Sequence, residues 1–250
     1  VHMMAGLGER FKYKVILTFS DLRAREIAED FQFYDRNVLI YPGKDLIFYQ
    51  ADIHGNQLVK ERINVLKRVM EGKPVTVITT FSALMSPMMP IEILKENTID
   101  ISKNGELSEG KLSKQLVSMG YEKTHQVESP GQFSIRGGII DIFDLTQENP
   151  YRMELWGEEI ESIRSFDILS QRSIENLESI RIYPATELIL TQEQLKEGMK
   201  KIAADGKKQS DALRKEFMTE EAHRISSHVK ELQEQVLELG MSVNLESYIN

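Results

Sequence analysis

Three short apolar runs, separated by two amphipathic segments, constrain the fold of the first hundred residues most strongly. The runs are "KVILTF" (14–19), "NVLIYP" (37–42) and "VTVITT" (75–80), and they have the length and β-branched content of buried parallel strands. Ser20 can cap the helix that follows the first run, and Gly72 can end the helix before the third. The apolar faces of these helices comprise Ala24, Ile27, Ala28 and Phe31, and Val59, Ile63, Leu66 and Met70. The alternation predicts an α/β domain in which helices cover a parallel sheet.

The hydrophobic pattern changes to a period of two in the next zone. In "QFSIR" (132–136) Phe133 and Ile135 share one face, and Ser134 and Arg136 share the other. "YRMELW" (151–156) alternates in the same way before a glycine turn and the run "EEIESIRSF". A helix over "KLSKQLVSMG" (111–120) leads into these strands. This pattern predicts an inserted antiparallel α+β domain over 108–184, between a first domain part over 1–107 and its continuation over 185–250.

The last zone is almost entirely helix-forming. "TQEQ" (191–194) reads as a capping box, and a helical pattern broken near Gly206 predicts two helices. An apolar stripe with helical spacing follows, made of Ile225, Val229, Leu232, Val236 and Leu239. The stripe can pack within the chain, against other parts of a longer protein, or against a second copy.

Charge and composition narrow the function classes. The formal net charge is −8 and there is no cysteine, which disfavours a general nucleic-acid binder and excludes disulfides and cysteine-based metal sites. No apolar run approaches the roughly 20 residues that a membrane span needs. The absence of cysteine fits a reducing cytoplasm, where we expect the protein to be. The opening "VHMMAG" resembles an expression remnant and the ending "LESYIN" has no closing feature. We therefore expect a piece of a longer protein.

Catalytic motifs are missing from the sequence. It contains no G-x-x-x-x-G-K-[ST] phosphate loop, no G-x-S-x-G and no H-E-x-x-H. His223 and His228 are five residues apart, which places them about 500° apart around a helix. We predict no catalytic residue, no metal site and no bound cofactor in this chain.

Arg136 stands out as a candidate binding residue because two glycines follow it inside a strand pattern. Residues 111–140 carry four lysines or arginines against two acids, whereas residues 144–187 carry ten acids against four arginines. A local cationic face on an anionic chain favours an acidic protein partner over DNA, and arginine is enriched at binding hot spots. An incidental arginine beside an ordinary glycine turn explains the same pattern, so both interpretations stay open at this level.

A longer stretch resembles a known family. "YEKTHQVESPGQFSIRGGIIDIFDLTQENPYRMELWGEEIESIRSFDILSQRSIENLESIRIYPATE" (121–187) is similar to the UvrB-homology region of the bacterial transcription-repair coupling factors, the Mfd family. "DLIFYQADIHGN" (45–56), "RINVLKRVMEG" (62–72) and "VTVITTFSAL" (75–84) extend the resemblance backwards. It implies that the first and third zones form a RecA-like, P-loop-type parallel-sheet domain without a working phosphate loop, interrupted by an insertion that recruits UvrA.

The resemblance also implies a set of partner-binding residues. The matching stretch of UvrB is similar to "YxRN…FRVRGD", whose arginines bind UvrA, and these arginines fall on Arg136 and Lys123. The third arginine position holds Ser134, which departs from the pattern. The aromatic residues are kept as Phe133 and Phe143, as supports or anchors, and Gly137 follows the key arginine.

The family as a whole is an ATP-driven DNA translocase that displaces stalled RNA polymerase. Its ATP and Mg²⁺ sites and its contacts with DNA and RNA polymerase would lie in other domains, so we expect this chain to be a monomeric, non-enzymatic module. Two alternatives remain: a nucleotide- or DNA-binding α/β module, and a helical adaptor that self-associates through the stripe.

Overall fold

The computed structural model describes residues 1–8, 10–43, 52–86, 88, 90–187, 189 and 192–239, without the side chains of 52–56, 192, 195 and 234–239. The chain divides into two compact units, Val1–Glu187 and Leu188–Asn250. The helices are α1 (His2–Gly8), α2 (Asp21–Phe31), α3 (Asp52–Met70), α4 (Phe81–Met85), α5 (Ile91–Glu96), α6 (Glu109–Ser118), α7 (Gln192–Lys215) and α8 (Thr219–Leu239). The strands are β1 (Tyr13–Thr18), β2 (Val38–Tyr41), β3 (Val75–Thr80), β4 (Ile99–Ser102), β5 (Glu122–Lys123), β6 (Gln132–Arg136), β7 (Ile139–Ile142), β8 (Tyr151–Trp156), β9 (Glu159–Phe166), β10 (Ser173–Asn176) and β11 (Ser179–Ile182).

The first part of the larger unit is a parallel α/β layer, as the alternating pattern predicts. The strand order is β1-β3-β2, and both neighbours pair with β3 in parallel. All six residues of β3 are buried, because α2 and α3 both pack against this strand. Ser20 caps α2 by accepting a hydrogen bond from the Arg23 N–H at 3.2 Å, and the predicted apolar face of α2 is buried. The α/β class is therefore confirmed.

The prediction that the first run is a buried strand is wrong in part. β1 pairs only with β3 among the described strands, and it leaves Tyr13, Val15 and Leu17 exposed. Ile16, on the opposite face, packs against the core that includes α2. A continuous apolar run does not reveal which of its two faces a neighbouring element covers.

The second part of the unit is an α+β module built on a mostly antiparallel sheet. Its six-stranded sheet has the order β10-β9-β8-β7-β6-β5, and the pairing is antiparallel except between β5 and β6. β4 and β11 form a separate antiparallel pair. The core combines one face of the large sheet with residues of α6 and of this pair, including Ile101 and Ile180. β4 thus belongs to the core of the module although it precedes the predicted range 108–184.

Buried polar residues join the module to the α/β layer. Asp144, after β7, accepts hydrogen bonds from the backbone N–H groups of Tyr183 and Thr146, both at 2.7 Å. The Lys67 ammonium of α3 donates to the Thr146 hydroxyl at 2.9 Å. Burial raises the pKa of Asp144, although these hydrogen bonds oppose the shift. A specific polar contact between α3 and the segment after β7 therefore joins the two parts.

The smaller unit is a helical hairpin. Two helices are present as predicted, but the predicted break at Gly206 is wrong, because α7 continues to Lys215 and the chain turns at Phe217 (φ 62°). A Cβ added at Gly206 would lie 2.6 Å from Val229 Cγ2, so this glycine permits close contact between the helices. The partner of the Ile225 and Val229 part of the stripe is therefore α7.

Some predicted features lie outside the description. Thr191 of the capping box, the structure of 44–51, and the side chains of 52–56, Val236 and Leu239 are not among the described residues. No helix in the described part of the chain combines the length and hydrophobicity needed to cross a membrane.

Candidate protein-binding surface

The two glycines after Arg136 form the turn of the β6–β7 hairpin. Arg136 pairs with Ile139, and the two residues between them have positive φ values of 56° at Gly137 and 84° at Gly138. A two-residue hairpin of this kind requires positive φ at both central positions, which glycine adopts without steric cost. A Cβ at Gly138 would lie 3.1 Å from the Leu155 carbonyl oxygen, whereas the space around Gly137 is open. The backbone that comes close to Gly138 is therefore that of the chain's own β8.

Arg136 lies on the predicted outer face, but it has a partner within the fold. Its side chain is 38% exposed, and its Nη2 donates to Asp141 Oδ2 at 2.9 Å. The guanidinium is therefore paired with an acid of its own fold. Arg136 and Asp141 share one face because the β6–β7 register pairs Asp141 with Ser134, two residues before Arg136.

Asp141 is held more tightly by a second arginine. Its side chain is 1% exposed, and Arg152 of β8 donates to both of its oxygens, from Nε at 2.6 Å and from Nη2 at 2.8 Å. Arg152 also donates to Gln171 at 2.9 Å and stacks on the Phe166 ring at 4.1 Å. Hydrogen bonding to Asp141 raises the pKa of Arg152 above its already high usual value.

The three charged residues carry a net charge of +1. Arg152 alone matches the charge of Asp141 and binds both of its oxygens, so Arg136 is the outer, less buried cation of the group. Among the described residues, Asp141 is the only hydrogen-bond partner of the Arg136 guanidinium. Its other N–H groups therefore remain able to bind a carboxylate from outside the fold.

Lys123 does not share a face with Arg136. It lies on the edge strand β5 and is exposed, but it pairs in parallel register with Phe133. Paired residues project to the same face of a sheet, so Lys123 projects on the side of Phe133 and Arg136 on the side of Ser134. A single flat surface centred on both residues is ruled out, and a partner that contacts both must reach around the β5 edge.

The predicted aromatic anchors are buried. Phe133 and Phe143 belong to the interior, at 0% and 4% exposure, so they can support the surface but cannot contact a partner in this conformation. Ser134 is buried as well, and its hydroxyl donates to the His125 carbonyl at 2.8 Å. The connection that carries His125 covers this part of the outer face, which the strand pattern alone does not reveal.

Besides Asp141 and Arg152, the outer face carries three more residues that were absent from the sequence-based site. Glu154 pairs with Ile139, and Trp156 follows two residues later on the same side of β8. Arg164 donates to Glu154 at 2.5 Å, and this hydrogen bond lowers the pKa of Glu154. Two sequence features could have identified Trp156. It lies directly before a glycine turn, and it is three residues after Met153, so strand alternation places it on the face opposite this buried residue.

Comparisons with known proteins identify the family to which this chain belongs. The family model described as "UvrB interaction domain" matches residues 99–188, which span β4 to β11. The transcription-repair-coupling factor of Bacillus subtilis (strain 168) is 37% identical over 218 residues, which cover 86% of this chain and 18% of the relative. The protein of the same name from Staphylococcus aureus (strain Mu50) is 35% identical over 191 residues, 74% of this chain and 16% of the relative. The chain thus spans less than a fifth of the length of these relatives. It belongs to the family of transcription-repair-coupling factors, and residues 99–188 are its UvrB interaction domain.

Proposed function

We propose that this chain is the UvrA-recruiting module of a transcription-repair-coupling factor, which links a stalled RNA polymerase to nucleotide-excision repair. The observation that carries the proposal is the position of Arg136, which projects from the outer face of the domain as the surplus cation beside Asp141 and Arg152. The family membership of the chain and the name of the matched domain support the same reading.

The geometry suggests how Arg136 would bind. Its hydrogen bond to Asp141 restricts the side chain to the outer face before any partner arrives, which lowers the entropy lost on binding. Its other donors can hold a partner carboxylate, the contact for which the guanidinium fork is best suited. The acidic remainder of the chain disfavours a phosphate backbone as the ligand.

Further parts of the proposal concern the whole protein. We infer that the parallel layer corresponds to a RecA-like domain without a working phosphate loop, and that no cofactor acts within this chain. ATP hydrolysis with Mg²⁺, DNA translocation and contact with RNA polymerase are assigned to other domains of the family's longer proteins, in the cytoplasm. Lys123 would contribute only where the partner reaches the β5 edge.

The deciding experiment is a calorimetric titration of UvrA with the parent chain, Arg136→Ala and a control. Truncation of a hot-spot arginine costs about 2–4 kcal/mol, so we expect Arg136→Ala to weaken the affinity by about thirtyfold or more. Arg181→Ala is the matched control, because Arg181 is an exposed arginine of the same module that is also paired with an acid, Asp100 at 2.6 Å. We expect this control to bind UvrA as the parent does.

Two results would contradict the proposal. Equal affinities for the parent and Arg136→Ala would remove the assignment of Arg136, and a parent chain that does not bind UvrA would remove the function. ATP-dependent thermal stabilisation, or DNA binding with a steep salt dependence, would favour the nucleotide- or DNA-binding alternative instead.

A further inference from the structure

Trp156 is the only tryptophan of the chain, and 81% of it is exposed. It lies at the end of β8, directly before the turn at Gly157 (φ 65°). Hairpin ends usually carry small or polar residues, so neither the turn nor the sheet requires an indole there. Tryptophan is enriched at protein interfaces, because its large apolar ring contributes contact area and its N–H group can form a hydrogen bond.

The strand register places Trp156 on the same face as Arg136, with β7 between their strands. Arg136 pairs with Ile139, Ile139 pairs with Glu154, and Trp156 is two residues beyond Glu154 on the same face. Neighbouring strands are about 4.8 Å apart and alternate residues about 6.6 Å apart, so the group spans roughly 10–15 Å. A typical protein–protein interface is wider than this span, so a single partner can contact both residues.

The residues between Arg136 and Trp156 are compatible with one contact surface. Ile139 is partly exposed, which gives the centre an apolar side chain. Glu154 is matched by Arg164, so it does not add an unbalanced negative charge that would repel an acidic partner. Tryptophan and arginine are the residue types most enriched at the energetic centres of interfaces.

We propose that Trp156 is the apolar anchor of the surface whose polar contact is Arg136, and that the partner presents an apolar pocket beside a carboxylate. This inference rests on the proposed function, since it concerns the same partner and the same face. It replaces Phe133 and Phe143, which are buried, with an aromatic residue that a partner can reach.

Trp156→Ala and Leu169→Ala form a matched pair for the test. Leu169 is also an exposed apolar residue of the module, at 94%, but it follows the other end of β9. In titrations with UvrA we expect Trp156→Ala to weaken binding tenfold or more, Trp156→Phe to lose less, and Leu169→Ala to stay within twofold of the parent. Because both side chains are exposed, all three variants should unfold at the temperature of the parent.

Hydroxyl-radical footprinting with mass spectrometry gives an independent readout. Oxidation of Trp156 should fall several-fold when UvrA is added, while oxidation of Leu169 should not change. The inference is overturned if the parent binds UvrA and Arg136→Ala weakens that binding, but Trp156 stays reactive and Trp156→Ala binds as the parent does. That outcome leaves the proposed function intact. Absence of binding by the parent chain would overturn both.

Discussion

Substitution of Asp141 by asparagine separates the structural role of the charged group from its role in binding. The change keeps the size of the side chain, but it removes the negative charge and replaces one of the two oxygens, which together accept three hydrogen bonds of 2.6–2.9 Å, with an NH2 group that cannot accept. Loss of one partner of a buried ion pair costs about 3–5 kcal/mol. Arg152 keeps Gln171 and the Phe166 ring, so we expect a loss of about 2–4 kcal/mol. In a domain of this size each kcal/mol lowers the melting temperature by about 2–4 °C, which gives a fall of about 5–15 °C.

The same substitution should have little effect on UvrA binding. The amide side chain of the Asp141→Asn variant would still offer an oxygen to Arg136, and the added positive charge on the surface favours an acidic partner. We expect an affinity within about threefold of the parent, measured by calorimetry well below both melting temperatures. Arg136→Ala should instead weaken UvrA binding and leave the free energy of unfolding almost unchanged. A half-exposed ion pair contributes about 1 kcal/mol or less to stability.

The pair of variants therefore gives a crossed result. Asp141→Asn should lose stability and keep binding, while Arg136→Ala should lose binding and keep stability. If both variants lost stability and affinity to the same extent, Arg136 would be a structural member of the charged group and not a binding residue. Differential scanning calorimetry on the same samples supplies the stability values.

Three further outcomes test the fold. Burial raises the pKa of Asp35, but hydrogen bonds from Lys14 and other donors outweigh it and lower the pKa to about 2. The folded pKa is thus below the unfolded value near 3.9, so the contribution of Asp35 is present above about pH 4 and lost between pH 4 and 2. Asp35→Asn should cost about 1–2 kcal/mol at pH 7 and almost nothing at pH 2, measured by urea unfolding; a pH-independent cost would contradict this. Gly206→Ala should lower the helical melting temperature despite the better helix propensity of alanine, and Val229→Ala should relieve the clash; a gain with Gly206→Ala alone would refute the close packing. Arg62→Met removes the guanidinium from a buried ion pair and should cost about 3–5 kcal/mol in thermal unfolding, whereas a cost below about 1 kcal/mol would show that the pair is dispensable.

Features that depend on neighbouring residues in sequence were predictable. The Ser20 cap depends on a contact three residues away, and the turn at Gly157 depends on one residue with positive φ. Features that depend on distant elements were not. Whether β1 is covered depends on what packs on its second face, and the continuation of α7 through Gly206 depends on contact with α8. Local rules favour a break at a glycine because they do not include a second helix packed closely against it.

The same distinction applies to the candidate site: features set by neighbouring residues were predictable, and features set by distant elements were not. The alternation of "QFSIR" correctly placed Arg136 opposite the Phe133 face, since this requires only a period of two. The pairing of Asp141 with Arg152 requires the register between β7 and β8, which no single strand contains. The burial of Ser134 and the exposure of Trp156 depend on where connections and hairpin ends lie, so the sequence identified the face and missed part of its surface.

The position of Asp141 explains why an internal acid does not argue against an external role for Arg136. A buried carboxylate must be matched, because an isolated buried charge is strongly unfavourable, and Arg152 meets this requirement with both oxygens bound. If Arg136 were needed for the same purpose, it would be expected to be as buried as Arg152, whose side chain is 14% exposed. It is instead the more exposed partner, and it forms one hydrogen bond from its guanidinium among the described residues. A second arginine at an acid that is already matched adds little to stability but keeps a cation on the outer face, which is the arrangement that recognition of an acidic partner requires.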